Sequence, residues 1–336
     1  MNLRALNGMP PWAWSFLAAV LVLILTYGIS GQGDGQTITL ALTVAPYLVL
    51  VGLGQMLVMT AGPGNIDVSV AKVFSLGGLL SIAVAESTGS WLLGLGAACG
   101  VGLCMASISV IAILLVRIPP IVATLATSLI ASAISLTLAQ GFQGSAHPDL
   151  RAFLNWSPLG VPAFAVVVAA FTLAVSWILA RTVWGAQLLA FGQARRAAQF
   201  AGIRATRILV VVYLVSGILA ALAGALRASF SAPNVELGND YLLDSIAVVV
   251  IGGTLMSGGR AVPLGVWGGA LFFILLDGLL NLIGWSYAGQ NILKGFLVLT
   301  VLFLANGAPL IAPSAASATR KQPLSPETEP DEAPHE

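Results

Sequence analysis

The chain of 336 residues is 58% apolar and 8% charged, with 37 glycines and a mean hydropathy of +0.96. A soluble domain carries charge on about a quarter of its residues, so this composition excludes one and places the chain in a bilayer. Charge is nearly balanced, 14 basic groups against 13 acidic, but two of the basic and five of the acidic groups fall in the last seventeen residues. The twelve basic and eight acidic groups of the first 319 residues are too sparse for a nucleic-acid footprint.

Apolar runs of the length that crosses a hydrocarbon core, about 17 to 25 residues, occur at 12–30, 38–60, 91–116, 119–139, 163–180, 208–230, 262–284 and 288–306. Two weaker runs complete the series. Residues 68–85 are interrupted by Lys72 and glycines, and 241–256 is short and contains Asp244; both suit broken or re-entrant helices, which need their irregular backbone covered by protein. The reading is therefore all-α: a polytopic helical protein of about ten spans, or eight if both weak segments are re-entrant. The first run is longer than the apolar core of a secretory signal and is kept as a span.

Lys and Arg in short loops set orientation. With a cytoplasmic N-terminus and ten spans, Arg4, Arg117, Arg181, Arg195, Arg196, Arg204, Arg207, Arg260, Arg320 and Lys321 share one side. Arg151 lies on the other, with Arg227 and Lys294 near its boundary. The bias places both termini in the cytoplasm. Residues 1–311 form the transmembrane unit, with an inner loop at 181–207 and an outer one at 140–162. Residues 312–336, rich in Ala, Ser, Pro and Glu, are expected to be a disordered cytoplasmic tail.

Cys99 and Cys104 point about 140° apart on a helix and read as packing residues. The single His147 of the outer loop has no second ligand nearby. No phosphate-binding G-x-x-x-x-G-K-[ST] occurs, nor H-E-x-x-H or G-x-S-x-G. The chain is expected to be neither an enzyme nor an ATPase and to hold no metal or cofactor. The deep charges are few: Asp67, Lys72, Asp244 and Asp277. A proton or sodium pump needs more.

In the inner loop, Arg195 to Phe200 reads as a short amphipathic helix, followed by Ala201-Gly202-Ile203. Gly192, Ala197 and Ala198 permit close backbone approach, Phe200 and Ile203 offer exposed apolar groups, and Gly202 suits a helix end with positive φ. The segment fits a docking knob. It equally fits an interfacial helix held on headgroups by its arginines.

Four stretches together resemble a known family: Gly64-Asn-Ile-Asp-Val-Ser-Val70, Arg117-Ile-Pro-Pro-Ile-Val-Ala-Thr-Leu125, the inner loop through Gly202-Ile203, and Leu243 to Thr254 continuing to Ser257-Gly-Gly-Arg260. In this order they resemble the permeases of bacterial ABC importers for ribose, xylose and related monosaccharides. Relatives of these handle autoinducer-2 and, more distantly, branched-chain amino acids. The resemblance spans about Leu53 to Leu304. It implies an inner-membrane permease without its own ATPase, working with an ATP-binding subunit, an external solute-binding protein and a second permease copy.

It also implies that 184–203 is the coupling segment seated in the ATP-binding subunit, with Gly192, Arg195, Ala197, Ala198, Phe200, Gly202 and Ile203 as its residues. Asn65 and Ala71 stand where the family commonly has glycine, and Ala194-Arg195 replaces an acidic step, which points to an acidic surface on the partner. Candidates for the translocation path are Asn65, Asp67, Thr124, Asp244 and Asn281. Asp67 also suits a cap of the following helix near the cytoplasmic side, and Thr124 and Asn281 suit bonds to neighbouring helices. Gly217, Ala220, Ala221, Gly224, Gly268 and Gly269 read as packing faces. An ion-coupled transporter and a membrane scaffold are the rival classes.

Overall fold

The computed structural model describes residues 10, 12–30, 35–142 and 144–306. Arg4, Arg320, Lys321 and the expected tail lie outside these. Among the described residues there are thirteen α-helices and no strand. They are α1 (Ala13–Ser30), α2 (Gly35–Thr60), α3 (Val70–Thr88), α4 (Trp91–Leu114), α5 (Pro120–Ala139), α6 (Pro148–Asn155) and α7 (Ala163–Arg181). Then follow α8 (Val183–Gln193), α9 (Arg195–Phe200), α10 (Ala205–Phe230), α11 (Asn239–Ile251), α12 (Pro263–Leu282) and α13 (Tyr287–Asn306).

Eight helices, α1 to α5, α7, α10 and α12, are long and apolar enough to cross a membrane. Helix α13 is also 20 residues long. The weak run at 68–85 forms a continuous helix. The one at 241–256 does not reach: α11 has 13 residues, about 20 Å of helix against a hydrocarbon core of about 30 Å. Leu17, Leu21, Leu92, Leu129, Leu173 and Trp177 are exposed, as suits faces turned to lipid. Cys104 is also exposed, so it is not a packing residue.

The centre of the bundle is α10 against α3 and α4, and the expected small-residue face explains why they meet. A Cβ on Gly224 would stand 1.8 Å from the Phe74 carbonyl oxygen, and one on Gly217 would stand 2.6 Å from that of Gly102. Only hydrogen at these positions lets the backbones touch. Gly269 packs in the same way on Val248 of α11, and Gly268 on Ser15 of α1.

The architecture contains an inverted pair of like units. Helix α2, with 26 residues, leads into Asn65-Ile-Asp-Val-Ser69 and then α3; helix α10, also with 26, leads into Asn234-Val-Glu-Leu-Gly238 and then α11. Each linker contains the same kind of local turn, at the end of the first and at the start of the second. Ser69 N donates to Asp67 Oδ1 at 3.0 Å, and Glu236 N donates to Asn234 Oδ1 at 3.0 Å. Helices α2 and α10 pack together but run in opposite senses, since the end of α2 and the start of α10 both lie at the arginine-rich end.

The two linkers converge where α3 and α11 begin. Lys72 Nζ donates to Asn239 Oδ1 at 2.8 Å, Gly238 N donates to Ser75 Oγ at 2.9 Å, and Phe74 stacks on Tyr241 with centroids 4.2 Å apart. Discontinuous helices meeting across an inverted repeat are a recurrent way to build a polar site inside a membrane protein.

Candidate functional site

At the arginine-rich end, three chain segments lock together. Gly259 N donates to the Thr60 carbonyl at 2.9 Å, and Gln193 Nε2 donates to the Gly259 carbonyl at 3.1 Å. A Cβ on Gly192 would stand 2.0 Å from the Thr60 oxygen, and one on Gly258 would stand 2.4 Å from the Gly62 Cα. This junction ties the base of the 183–204 loop to the end of α2 and to the turn after α11. Thr182 fixes the entrance by accepting from Gly185 N at 3.2 Å, a normal N-cap.

From that base the chain turns at Ala194 into α9. Arg195 and Arg196 are exposed, with the Arg195 guanidinium 5.4 Å from the Phe191 ring centroid. Ala198 is buried beneath the helix while Ala197 faces out. Phe200 is 93% exposed. The end of α9 is a Schellman closure: Ile203 N donates to the Ala198 carbonyl and Gly202 N to that of Gln199, both at 3.0 Å, with Gly202 at φ 84°. The expected helix, its glycine stop and the projecting aromatic are all present.

Ile203 differs from expectation. The closure folds it back, and it packs partly buried against the core, as residues in this position of the motif commonly do. Phe200 is therefore the one large apolar group of the pair that projects.

Three of the five path candidates meet at the first linker, Asn65 and Asp67 on it and Thr124 on α5 beside it, and are satisfied internally. Asp67, 2% exposed, accepts from Ser69 Oγ at 2.6 Å and from Ser216 Oγ at 2.7 Å. Asn65 donates to the Gly62 carbonyl at 3.1 Å and accepts from the Tyr213 hydroxyl at 3.4 Å. Thr124 accepts from Val68 N at 3.1 Å and donates to the Pro120 carbonyl at 3.0 Å. These bonds pin an irregular backbone to α5 and α10. Ser216 lies eleven residues into α10, about 17 Å from the arginine-rich end at the helical rise, so Asp67 sits deeper than the expected position beside the cytoplasm.

Asn281 lies apart, at the far end of α12, where it accepts from Gln290 Nε2 at 2.8 Å and holds the turn into α13. Asp244 is different. It is 7% exposed on α11 and receives Lys294 Nζ at 3.1 Å, while the same ammonium reaches Asp277 of α12 at 2.9 Å.

This triad borders a polar cavity of about 270 Å³ at the start of α11, which Arg227, Asp240 and Tyr241 also line. Sequence reasoning placed Arg227 and Lys294 only at a membrane boundary. The available signal was that both are rare cations in apolar runs, at the same predicted depth as Asp244.

The residues matched by the family model for the permease component of branched-chain amino acid transport systems are 37–305. The chain is 28% identical to the ribose import permease protein RbsC of Escherichia coli (strain K12) over 265 residues, 77% of this chain and 81% of that one. It is 30% identical to the autoinducer 2 import system permease protein LsrC of Photorhabdus luminescens over 326 residues, covering 92% and 95%. A probable ABC transporter permease protein of Sinorhizobium fredii, y4mJ, is 29% identical over 85% of this chain and 86% of its own. No solved structure matches the chain significantly. With the family model covering both the linker-bearing core and the α8–α9 loop, this chain belongs to the family of transport-system permease components.

Proposed function

We propose that the chain is the membrane-spanning permease subunit of an ATP-binding-cassette importer of the bacterial inner membrane, carrying a monosaccharide-like solute. ATP is bound and hydrolysed by a separate subunit docked on the arginine-rich face, which is cytoplasmic. A solute-binding protein delivers cargo at the opposite face, and a second permease copy completes the path. The observation that carries this reading is α9, a short helix with one bare aromatic and two exposed arginines, rooted in a junction of three chain segments. The relatives' names, ribose and autoinducer 2 import permeases, supply the solute class.

Mechanistically, a partner that grips Phe200 pulls on a stiff lever. The Gly192, Gln193, Gly259 and Thr60 contacts pass that displacement to α2 and to the turn below α11, the paired units whose linkers meet in the membrane. Arg195 and Arg196 match an acidic rim on the ATP-binding subunit, which sets partner choice and association rate. The permease supplies the gated path and the partner the energy.

The test is uptake of labelled D-ribose, with a panel of pentoses, hexoses and autoinducer 2, into vesicles holding this chain with its ATP-binding subunit and solute-binding protein. Uptake of a sugar that stops when hydrolysis is blocked is the expected result; flux surviving without ATP would instead indicate an ion-coupled carrier. Phe200→Ala should cut uptake at least tenfold with normal membrane levels, because the side chain touches nothing in the free chain yet fills a partner's pocket, where such truncations cost about 2 kcal/mol or more. Gly202→Asp should likewise abolish uptake without loss of the protein from the membrane. Wild-type uptake by both variants overturns the docking assignment.

A further inference from the structure

Each of the two inverted linkers is fixed to its own side of the bundle, but the two are joined to one another only across a thin seam. The buried Asp67 ties the first linker to α10 through Ser216, and the buried Lys294 of α13 ties α11 to α12 through Asp244 and Asp277. Between the linkers there is the Gly238 to Ser75 hydrogen bond, the Phe74 and Tyr241 ring stack, and Lys72, whose ammonium lies 3.4 Å from Glu236 Oε2 and 2.8 Å from Asn239 Oδ1. Helix α3 packs far more extensively on α10 and α4 than on α11. We propose that this seam parts during passage of the solute and that the Lys72–Glu236 pair is its releasable clasp, an inference that rests on the transport reading above.

Depth is the first observation. Helix α11 has 13 residues, so its start lies about 20 Å from the arginine-rich end. Asp67, which precedes Lys72 by five residues, is held by Ser216 at about 17 Å from that end. Both measures place the pair inside a hydrocarbon core of about 30 Å. Yet the Glu236 side chain is 61% exposed and that of Lys72 20%, with Asn239 and Asp240 exposed beside them. Charged side chains at such depth face water or protein and not lipid, which turns this side of the seam to the aqueous path.

Strength is the second observation. An exposed ion pair is screened by water and holds weakly, whereas a buried one resists separation because each partner would be left uncompensated in a low dielectric. Lys72 and Glu236 can therefore part and rejoin within one transport cycle, while Lys294 keeps its two carboxylates and moves α11, α12 and α13 as one body. The junction at the arginine-rich end feeds both sides of the seam: through Thr60 and Gly62 into the first linker, and through Gly258 and Gly259 into α11. A displacement of α9 thus loads the place where the two meet again.

The test is a thiol bridge across the seam in vesicles holding the complete importer. On a Cys99→Ala, Cys104→Ala background, Lys72→Cys and Glu236→Cys are joined by a short, membrane-permeant bifunctional methanethiosulfonate, and the linked peptide is quantified by mass spectrometry. The bridging rate should differ at least fivefold between nucleotide-free vesicles and those trapped with ATP and vanadate, and it is readable whether or not the double variant transports. The bridge should lower ATP-driven D-ribose uptake at least tenfold, and reduction should restore it. Lys72→Glu alone should cut uptake at least tenfold by repulsion, and Lys72→Glu with Glu236→Lys should recover it to within threefold of wild type, which a packing role for Lys72 would not allow.

Equal bridging rates in both states, no bridge in either, or undiminished uptake by the bridged importer would each overturn the parting seam; D-ribose uptake by the wild-type importer in the same vesicles then leaves the transport reading intact. A charge exchange that recovers nothing overturns the pairing of Lys72 with Glu236 as the clasp. Wild-type vesicles that take up neither D-ribose nor any other sugar of the panel overturn the transport reading and the clasp with it.

Discussion

Lys294→Met is expected to be among the most damaging single substitutions in the membrane core. The ammonium is 7% exposed and is bonded to two carboxylates, Asp244 on α11 and Asp277 on α12. Removing it leaves two like charges side by side in a low-dielectric interior. Stranding one partner of a buried ion pair costs about 3–5 kcal/mol, which should lower the midpoint by roughly 5 °C. Thermal unfolding in detergent, followed by light scattering or tryptophan emission, reads this directly.

The compensated variant separates charge from packing. Lys294→Met with Asp244→Asn and Asp277→Asn removes all three charges together, and replacement of a buried ionic group as a whole is often neutral for stability. The expected result is a midpoint close to wild type. A triple variant as unstable as the single one would show that Lys294 acts through packing and not through its two carboxylates.

Gly224→Val is the second large effect. The added Cβ alone would meet the Phe74 carbonyl oxygen at 1.8 Å, its carbon at 2.5 Å and its Cα at 2.9 Å. All three are backbone atoms, so no rotamer change relieves the clash and α3 must move off α10. Overpacking a core typically costs about 1–3 kcal/mol; here the displaced element carries Lys72 and Phe74 and follows directly on Asp67, and their contacts reach Asn239, Tyr241 and Ser216. Gly224→Val should therefore lose the monodisperse peak in size-exclusion chromatography. Gly100→Ala is the contrast. Its Cβ meets nothing within 4 Å, and Ala is favoured over Gly in helices by about 1 kcal/mol, so this variant should be as stable as wild type or more so.

Much of the local shape of residues 194–203 was legible before the fold. Gly202 after a short basic helix predicted the left-handed stop, and Phe200 beside small residues predicted the projecting aromatic. Both are properties of a few consecutive residues. The inward turn of Ile203 was not legible, because it depends on the Schellman closure placing that residue against a core built from other helices. The small-residue face on α10 was likewise readable from spacing, since residues three and four apart share a helix face, whereas Gly268 and Gly269 are adjacent and pack on two different helices.

The path candidates were less readable. Asn65, Asp67 and Thr124 are polar groups in apolar surroundings, which the sequence leaves open between a path and a structural bond. Their bonding partners are far away in the chain: Ser216 lies 149 residues from Asp67, and Val68 lies 56 from Thr124. The inverted units were hidden for a similar reason. Asn65-Ile-Asp-Val-Ser69 and Asn234-Val-Glu-Leu-Gly238 share only asparagine in identity, and their kinship shows once both are seen to follow a 26-residue helix and open the next one.

The sequence by itself determined that the chain is a helical membrane protein, which side gathers its arginines and where its helices pack closely. Hydropathy, loop charge and glycine spacing are sums over neighbouring residues, so no fold is needed to read them. Tertiary structure alone decided that α11 stops half-way, that Lys294 sits between carboxylates 50 and 17 residues away, and that Arg227 looks into a cavity. A buried charge is tolerable only beside its partner, and which partner it meets is fixed by how distant helices pack.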